Sequence, residues 1–167
     1  MGCAEMENEN QVYVNMMEDS LKRKKRVLVR LLEQTREQEL LLKDEEMDPD
    51  RFLAILDEKG KQIDELNRLD EGFDRLFKAV EKEINANRSA YETQIRSMQK
   101  LIGEVSELGI QIQALEHQNS GHFKVYLASQ RKEIREFHLN NRTASSYFQN
   151  MANAGGAGEA YYFDRTK

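Results

Sequence analysis

Tryptophan is absent, cysteine and proline occur once each, and only nine glycines interrupt the chain of 167 residues. Proline and glycine are the residues that cost a helix most, so long stretches have nothing to break one. The lone Cys3 cannot close an internal disulfide, which fits a reducing compartment. No run approaches the ~20 apolar residues that a membrane span requires. Residues 1–10 lack a basic region followed by an apolar stretch, and Met6 stands where a myristoylation signal has Ser or Thr. A soluble, cytoplasmic protein with no membrane insertion is expected. An excess of basic charge is also missing: 25 Lys and Arg against 30 Asp and Glu leave a net charge of −5. The chain as a whole therefore has no attraction for nucleic acid, and none is expected as a partner.

What remains is rich in Glu, Lys, Arg, Leu, Gln, Ala and Ile, whose side chains lose little freedom in a helix. From about Gln11 to Glu46 the apolar residues Val14, Met17, Leu21, Leu28, Leu31, Leu32, Leu41 and Leu42 fall on one helical stripe. Lys24, Thr35 and Gln38 lie on the same seam, so a fully dry core is not expected at mid-arm. The strongest punctuation is Met47-Asp48-Pro49-Asp50: Asp48 suits a helix N-cap, Pro49 the first helical position, and Asp50 the positive end of the dipole. Proline disfavours the α region at the residue before it, so the first helix stops by about Asp48. The connection is then short, and short connections make antiparallel neighbours.

The seam resumes at Phe52, Leu56, Ile63, Leu66, Phe73, Phe77, Val80 and Ile84. It continues through Tyr91, Met98, Leu101, Val105, Leu108, Ile112 and Leu115, in coiled-coil-like steps of mostly three and four. One helix of ~65 residues would be ~100 Å long. Ser89-Ala90-Tyr91-Glu92 instead matches a capping box after the asparagines Asn85 and Asn87, which favours two arms folded back on each other. After Leu115, Gln118-Asn119-Ser120-Gly121-His122 reads as a stop or kink. A further amphipathic stretch places Phe123, Leu127, Ile134, Phe137, Ala144, Phe148 and Met151 on one face. Glycines 155, 156 and 158 then precede three adjacent aromatics, Tyr161, Tyr162 and Phe163. The expected architecture is all-α: an elongated antiparallel three-helix bundle, or a four-helix one if the last stretch packs on it, with a flexible C-terminal tail. Its divisions are a disordered 1–10, a bundle over 11–118, an amphipathic helix over 122–151 and a tail over 152–167.

Catalysis needs side chains fixed in a recognisable set, and the inventory offers none. His117, His122 and His138 are preceded at three residues by Ala114, Asn119 and Arg135, not by the carboxylates of di-iron bundles. Neither a phosphate-cradling glycine loop nor a nucleophile elbow occurs, so no enzyme, metal or cofactor is expected. The run Lys22-Arg23-Lys24-Lys25-Arg26 reads as a solvated helix face balanced by Asp44-Glu45-Glu46, with a nucleic-acid patch as the rival. The aromatic-rich stripe after Gly121 is different. It is either a partner-binding element or the fourth helix of the bundle.

Three stretches carry a resemblance: Leu31-Leu32-Glu33-Gln34-Thr35-Arg36-Glu37-Gln38-Glu39 with the acidic turn after it, Ile63-Asp64-Glu65-Leu66-Asn67-Arg68-Leu69-Asp70-Glu71-Gly72-Phe73, and Ile112-Gln113-Ala114-Leu115-Glu116. Over roughly Val27 to Met151 the sequence resembles the FlgN family of flagellar export chaperones, in its diverged Gram-positive form. The resemblance implies a cytoplasmic chaperone of type III flagellar secretion, a monomer or weak homodimer. Such a protein binds the C-terminal helices of hook-associated proteins, prevents their early assembly and delivers them to the cytoplasmic domain of the export gate. Client binding would then fall on Phe123, Leu127, Ile134, Phe137, Phe148 and Met151, and the gate contact on one of Tyr147, Tyr161 or Tyr162. The alternative is a structural coiled-coil spacer that self-associates through the seam from Ile63 to Leu115.

Overall fold

The computed structural model describes residues 2–130, and all elements below lie within them. Three long helices form an up-down-up bundle: α1 (Gly2–Leu42), α2 (Pro49–Ala86) and α3 (Glu92–Ser129), with a 3-10 turn, Arg88–Tyr91, between the last two. At 1.5 Å per residue each helix is about 57–62 Å long. The backbone of α1 runs close to both other helices, and α2 and α3 meet through side chains such as Phe52 stacked on Phe123. Burial of the seams explains the assembly, because helices of this kind owe most of their stability to packing of the apolar face.

The core falls into three clusters along the axis. Nearest the 3-10 turn, Val14, Met17 and Leu21 of α1 pack with Phe73, Phe77, Val80 and Ile84 of α2 and with Ile95, Met98, Leu101 and Ile102 of α3. In the middle, Leu28, Leu31 and Leu32 meet Leu56, Ile63 and Leu66 and then Val105 and Ile112. At the far end Met47, Phe52 and Phe123 form a small cluster bordered by Leu41, Leu42, Leu53, Tyr126 and Leu127. Rising numbers on α1 thus meet falling numbers on α2 and rising numbers on α3.

The α1–α2 connection follows its chemistry. Asp48 has extended backbone angles (φ −82°, ψ 108°), and its carboxylate accepts from the Asp50 N–H at 3.0 Å, with Pro49 in the first turn. The α2–α3 break also falls where expected, yet its cap is different. Ser89 lies inside the 3-10 turn and makes no cap bond, and Tyr91 precedes α3. Asn87 closes α2 instead: its N–H bonds Glu83 O at 2.9 Å, and its side-chain amide bonds Glu83 Oε1 at 2.9 Å. Asn87 is exposed, off the apolar seam.

Two boundaries differ from the sequence reading. α1 begins at Gly2, not near Gln11. A helix once nucleated gains a hydrogen bond for each residue added, and Glu5 suits its positive end. α3 runs through Asn119-Ser120-Gly121-His122 without a stop. Glycine costs a helix only about 1 kcal/mol, and the burial of Asn119 on one side and Phe123 on the other outweighs it. Residues 122–129 therefore belong to α3, and the rest of the expected C-terminal helix and tail lies outside the described residues.

Candidate functional site

The basic run at 22–26 is divided among all three helices. Arg23 reaches Glu65 of α2 at 2.6 Å, Lys24 reaches Asp70 of α2 at 2.6 Å, and Lys25 reaches Glu104 of α3 at 2.7 Å. Lys22 pairs within α1 to Glu18 at 3.4 Å. Consecutive residues are 100° apart on a helix, so a run of like charges fans out and three of its members bolt α1 to α2 or α3. It is thus not merely a solvated face: Lys24 is 2% exposed and lies between the first and second core clusters. The Lys25 bond and charge hold the Glu104 carboxyl below its ordinary value.

A second polar section crosses the bundle between the middle and far clusters. Lys59 of α2 donates to Glu116 of α3 and, at 2.5 Å, to Gln38 Oε1 of α1, so that one ammonium joins all three helices. Thr35 Oγ1 lies 2.7 Å from Leu31 O and 3.1 Å from Glu116 Oε1. The Gln38 amide donates to Phe52 O at 3.2 Å, and the Asn119 amide donates to Thr35 O at 3.0 Å. Gln34 bonds Glu58 through its amide at 3.1 Å. Lys59, Glu116, Thr35, Gln38, Gln34 and Asn119 are all buried. Burial pushes the Lys59 ammonium below its ordinary value, and the Glu116 carboxylate opposes that shift. Among the described residues, two acceptors in this section, Gln34 Oε1 and Asn119 Oδ1, have no hydrogen-bond partner. A buried acceptor without a partner costs about 1–3 kcal/mol, so this section interrupts the apolar core at a cost in stability.

The expected seam residues Lys24, Thr35 and Gln38 thus sit on the seam, filled and bonded. Lys59, Glu116 and Asn119 escaped the sequence reading. Their signal was position: 56, 59, 63 and 66 on α2 and 112, 116, 119 and 123 on α3 step by three and four, which puts an ammonium and a carboxylate on inward faces of two different helices.

Beyond this section lies the far end of the bundle. Phe123 stacks on Phe52 with centroids 4.3 Å apart and planes 9° apart, and it also faces Tyr126 at 6.2 Å. Arg51 reaches back to Glu37 of α1 at 2.5 Å, flanking the turn, and that bond raises the Arg51 guanidinium above its ordinary value. Of the six stripe residues assigned to client binding, Phe123 is buried in this cluster and Leu127 half-buried against it. Phe123 thus takes part in a ring stack within the chain. Ile134, Phe137, Phe148, Met151 and the gate candidates Tyr147, Tyr161 and Tyr162 lie outside the described residues.

Among the described residues, no group of three or more His, Cys, Asp or Glu side chains could hold a metal ion, and His117 and His122 are exposed. No helix among them is long and apolar enough to cross a membrane. Comparison with protein-family models, with curated proteins and with solved structures finds no match.

Proposed function

We propose that the chain is a non-enzymatic, cytoplasmic export chaperone of the flagellar FlgN type. It holds the C-terminal helices of hook-associated proteins through an amphipathic stripe and hands them to the export gate through one of Tyr147, Tyr161 or Tyr162. The observation that carries this reading is that α1, α2 and α3 close a core with residues up to Phe123. The apolar stripe nevertheless continues in sequence to Ile134, Phe137, Phe148 and Met151. An aromatic-rich stripe that continues in sequence past the described core is suited to receive another amphipathic helix, and burial at ~25 cal/mol per Å2 lets a few aromatics hold it.

The test is titration of the full chain with a peptide copying the last helix of a hook-associated protein. Saturable binding that Phe137→Ala and Phe148→Ala abolish supports the reading; no binding, or binding indifferent to both changes, overturns it. The rival spacer is weakened by one observation. Ile63, Leu66, Phe73, Phe77, Val80, Met98, Leu101, Val105 and Ile112 are buried within a single chain, so self-association through that seam would require the bundle to unfold. Sedimentation of the purified protein as a stable dimer or larger would restore it.

A further inference from the structure

We propose that the outer face of α3 is a self-association surface on which two copies of the chain pair as antiparallel helices, forming a weak twofold dimer. Positions 103, 107, 110, 114, 117, 121, 124 and 128 of α3 are all exposed and alternate steps of four and three, which is the spacing of a coiled-coil seam. This second seam lies opposite the one that α3 buries through Ile102, Val105, Ile112 and Phe123.

Its composition is not that of a solvated helix face. Charged residues make up 33% of the chain, yet from Leu108 to Phe123 the only Asp, Glu, Lys or Arg is Glu116, which is buried. The outside of α3 therefore carries no Asp, Glu, Lys or Arg for more than four turns. Ile110 is 67% exposed on it, and Val125 at its edge is 70% exposed. Contiguous uncharged surface rimmed by charge marks an interaction site more often than scattered apolar residues do. Among the described residues, a Cβ at Gly103 or Gly121 would meet no atom within 4 Å, so packing inside the bundle does not require either glycine.

A second copy is the occupant because the seam is complementary to itself reversed. With a twofold axis between Ala114 and His117, Glu107 faces Lys124 of the second copy, Ile110 faces Gly121, Ala114 faces His117, and Gly103 faces Ala128. The steps of four and three read the same from both ends, so one register makes all four pairs at once. Opposite charges meet at both ends of the contact, and every other pair contains a small residue, which lets the axes approach to about 8 Å. A parallel pair would instead set Glu107 against Glu107 and Lys124 against Lys124. Glu107 and Lys124 are about 26 Å apart along the helix. A contact of that length between two single helices is small beside the roughly 1,200–2,000 Å2 of a stable complex, so the dimer dissociates on dilution.

Sedimentation equilibrium of the full chain from micromolar to millimolar concentration tests the surface, with circular dichroism to show that each variant keeps its helix. Ile110→Glu should raise the dissociation constant about a hundredfold, because it sets a charge in an apolar contact twice per dimer. Glu107→Lys and Lys124→Glu should each raise it about tenfold by opposing like charges. An equimolar mixture of those two variants should dimerise about as well as the unaltered chain, because every charged pair across the axis is then opposite again. A chain that is monomeric at millimolar concentration overturns the proposal. If Ile110→Glu also lowers the thermal midpoint of that monomer, the face is covered from within the chain; if it abolishes peptide binding, the face belongs to a client. Single reversals that dimerise as well as their mixture overturn the antiparallel register. A dimer that persists on dilution and ignores Ile110→Glu is the spacer, whose seam does not include Ile110. Peptide binding in itself bears on the chaperone reading and leaves this surface untouched.

Discussion

Lys59 and Glu116 stand 57 residues apart in sequence and form an ion pair in which the side chains are 0% and 3% exposed. Removing one member leaves the other charge buried. Lys59→Met is expected to lower stability by about 3–5 kcal/mol, whereas the double change Lys59→Met with Glu116→Leu should recover most of that loss, because apolar replacements of similar volume are often neutral. Urea unfolding of the two single variants and the double variant measures the cycle. A double variant no better than either single would show that the pair is not the source of the cost.

Acid should loosen the bundle through Glu104. Its folded carboxyl is held below the ordinary value by the Lys25 hydrogen bond, so this group adds stability above the unfolded value of 4.5, and the contribution is lost as pH falls through the lower folded value. Lys25→Met should return Glu104 to its ordinary range in a carboxyl NMR titration and flatten that part of the stability profile. An unchanged Glu104 midpoint would contradict the assignment.

The α2 helix carries two glycines that its packing does not use. Among the described residues, a Cβ built at Gly60 or Gly72 meets no atom within 4 Å, and both residues are in the helix interior. Gly60→Ala and Gly72→Ala should each raise stability by roughly 0.5–1 kcal/mol, visible as a higher thermal midpoint. A fall at either site would mean that the space is needed.

The Asp48 cap is open to a direct measurement. Asp48→Ala removes the acceptor for the Asp50 N–H and should cost about 1 kcal/mol, while Asp48→Asn should keep most of it. Equal losses in the two variants would point to the charge near the dipole instead of the hydrogen bond.

Local chemistry made much of this fold legible. Asp48-Pro49-Asp50 announces a helix start because cap, first position and dipole are all satisfied within three residues. The apolar steps of three and four gave the arms and nearly all of the core. Ser89 misled, because a capping-box pattern is short, and the 3-10 turn at Arg88–Tyr91 took Ser89 into its interior. Gly121 misled for the opposite reason: its local penalty is real, but the stack of Phe123 on a ring 71 positions earlier overrides it. Lys59 and Glu116 were missed because a charged residue on a seam is ordinarily turned outward, and only a partner on another helix makes its burial tolerable. The aromatic stripe was legible as a pattern, whereas the use of its first ring by Phe52 depends on where α3 ends up, which no local signal states.

The bolts from α1 to α3 have a bearing on synthesis. Lys25 and Thr35 wait for Glu104 and Asn119, 79 and 84 residues downstream. At a translation rate of about 5–20 residues per second, the emerging first helix spends roughly 4–17 s without its third-helix neighbour. During that interval its seam, including the ammonium of Lys24, can pair only with α2. The polar residues on the α1 seam then keep the nascent hairpin from presenting an unbroken apolar strip to other chains on the ribosome.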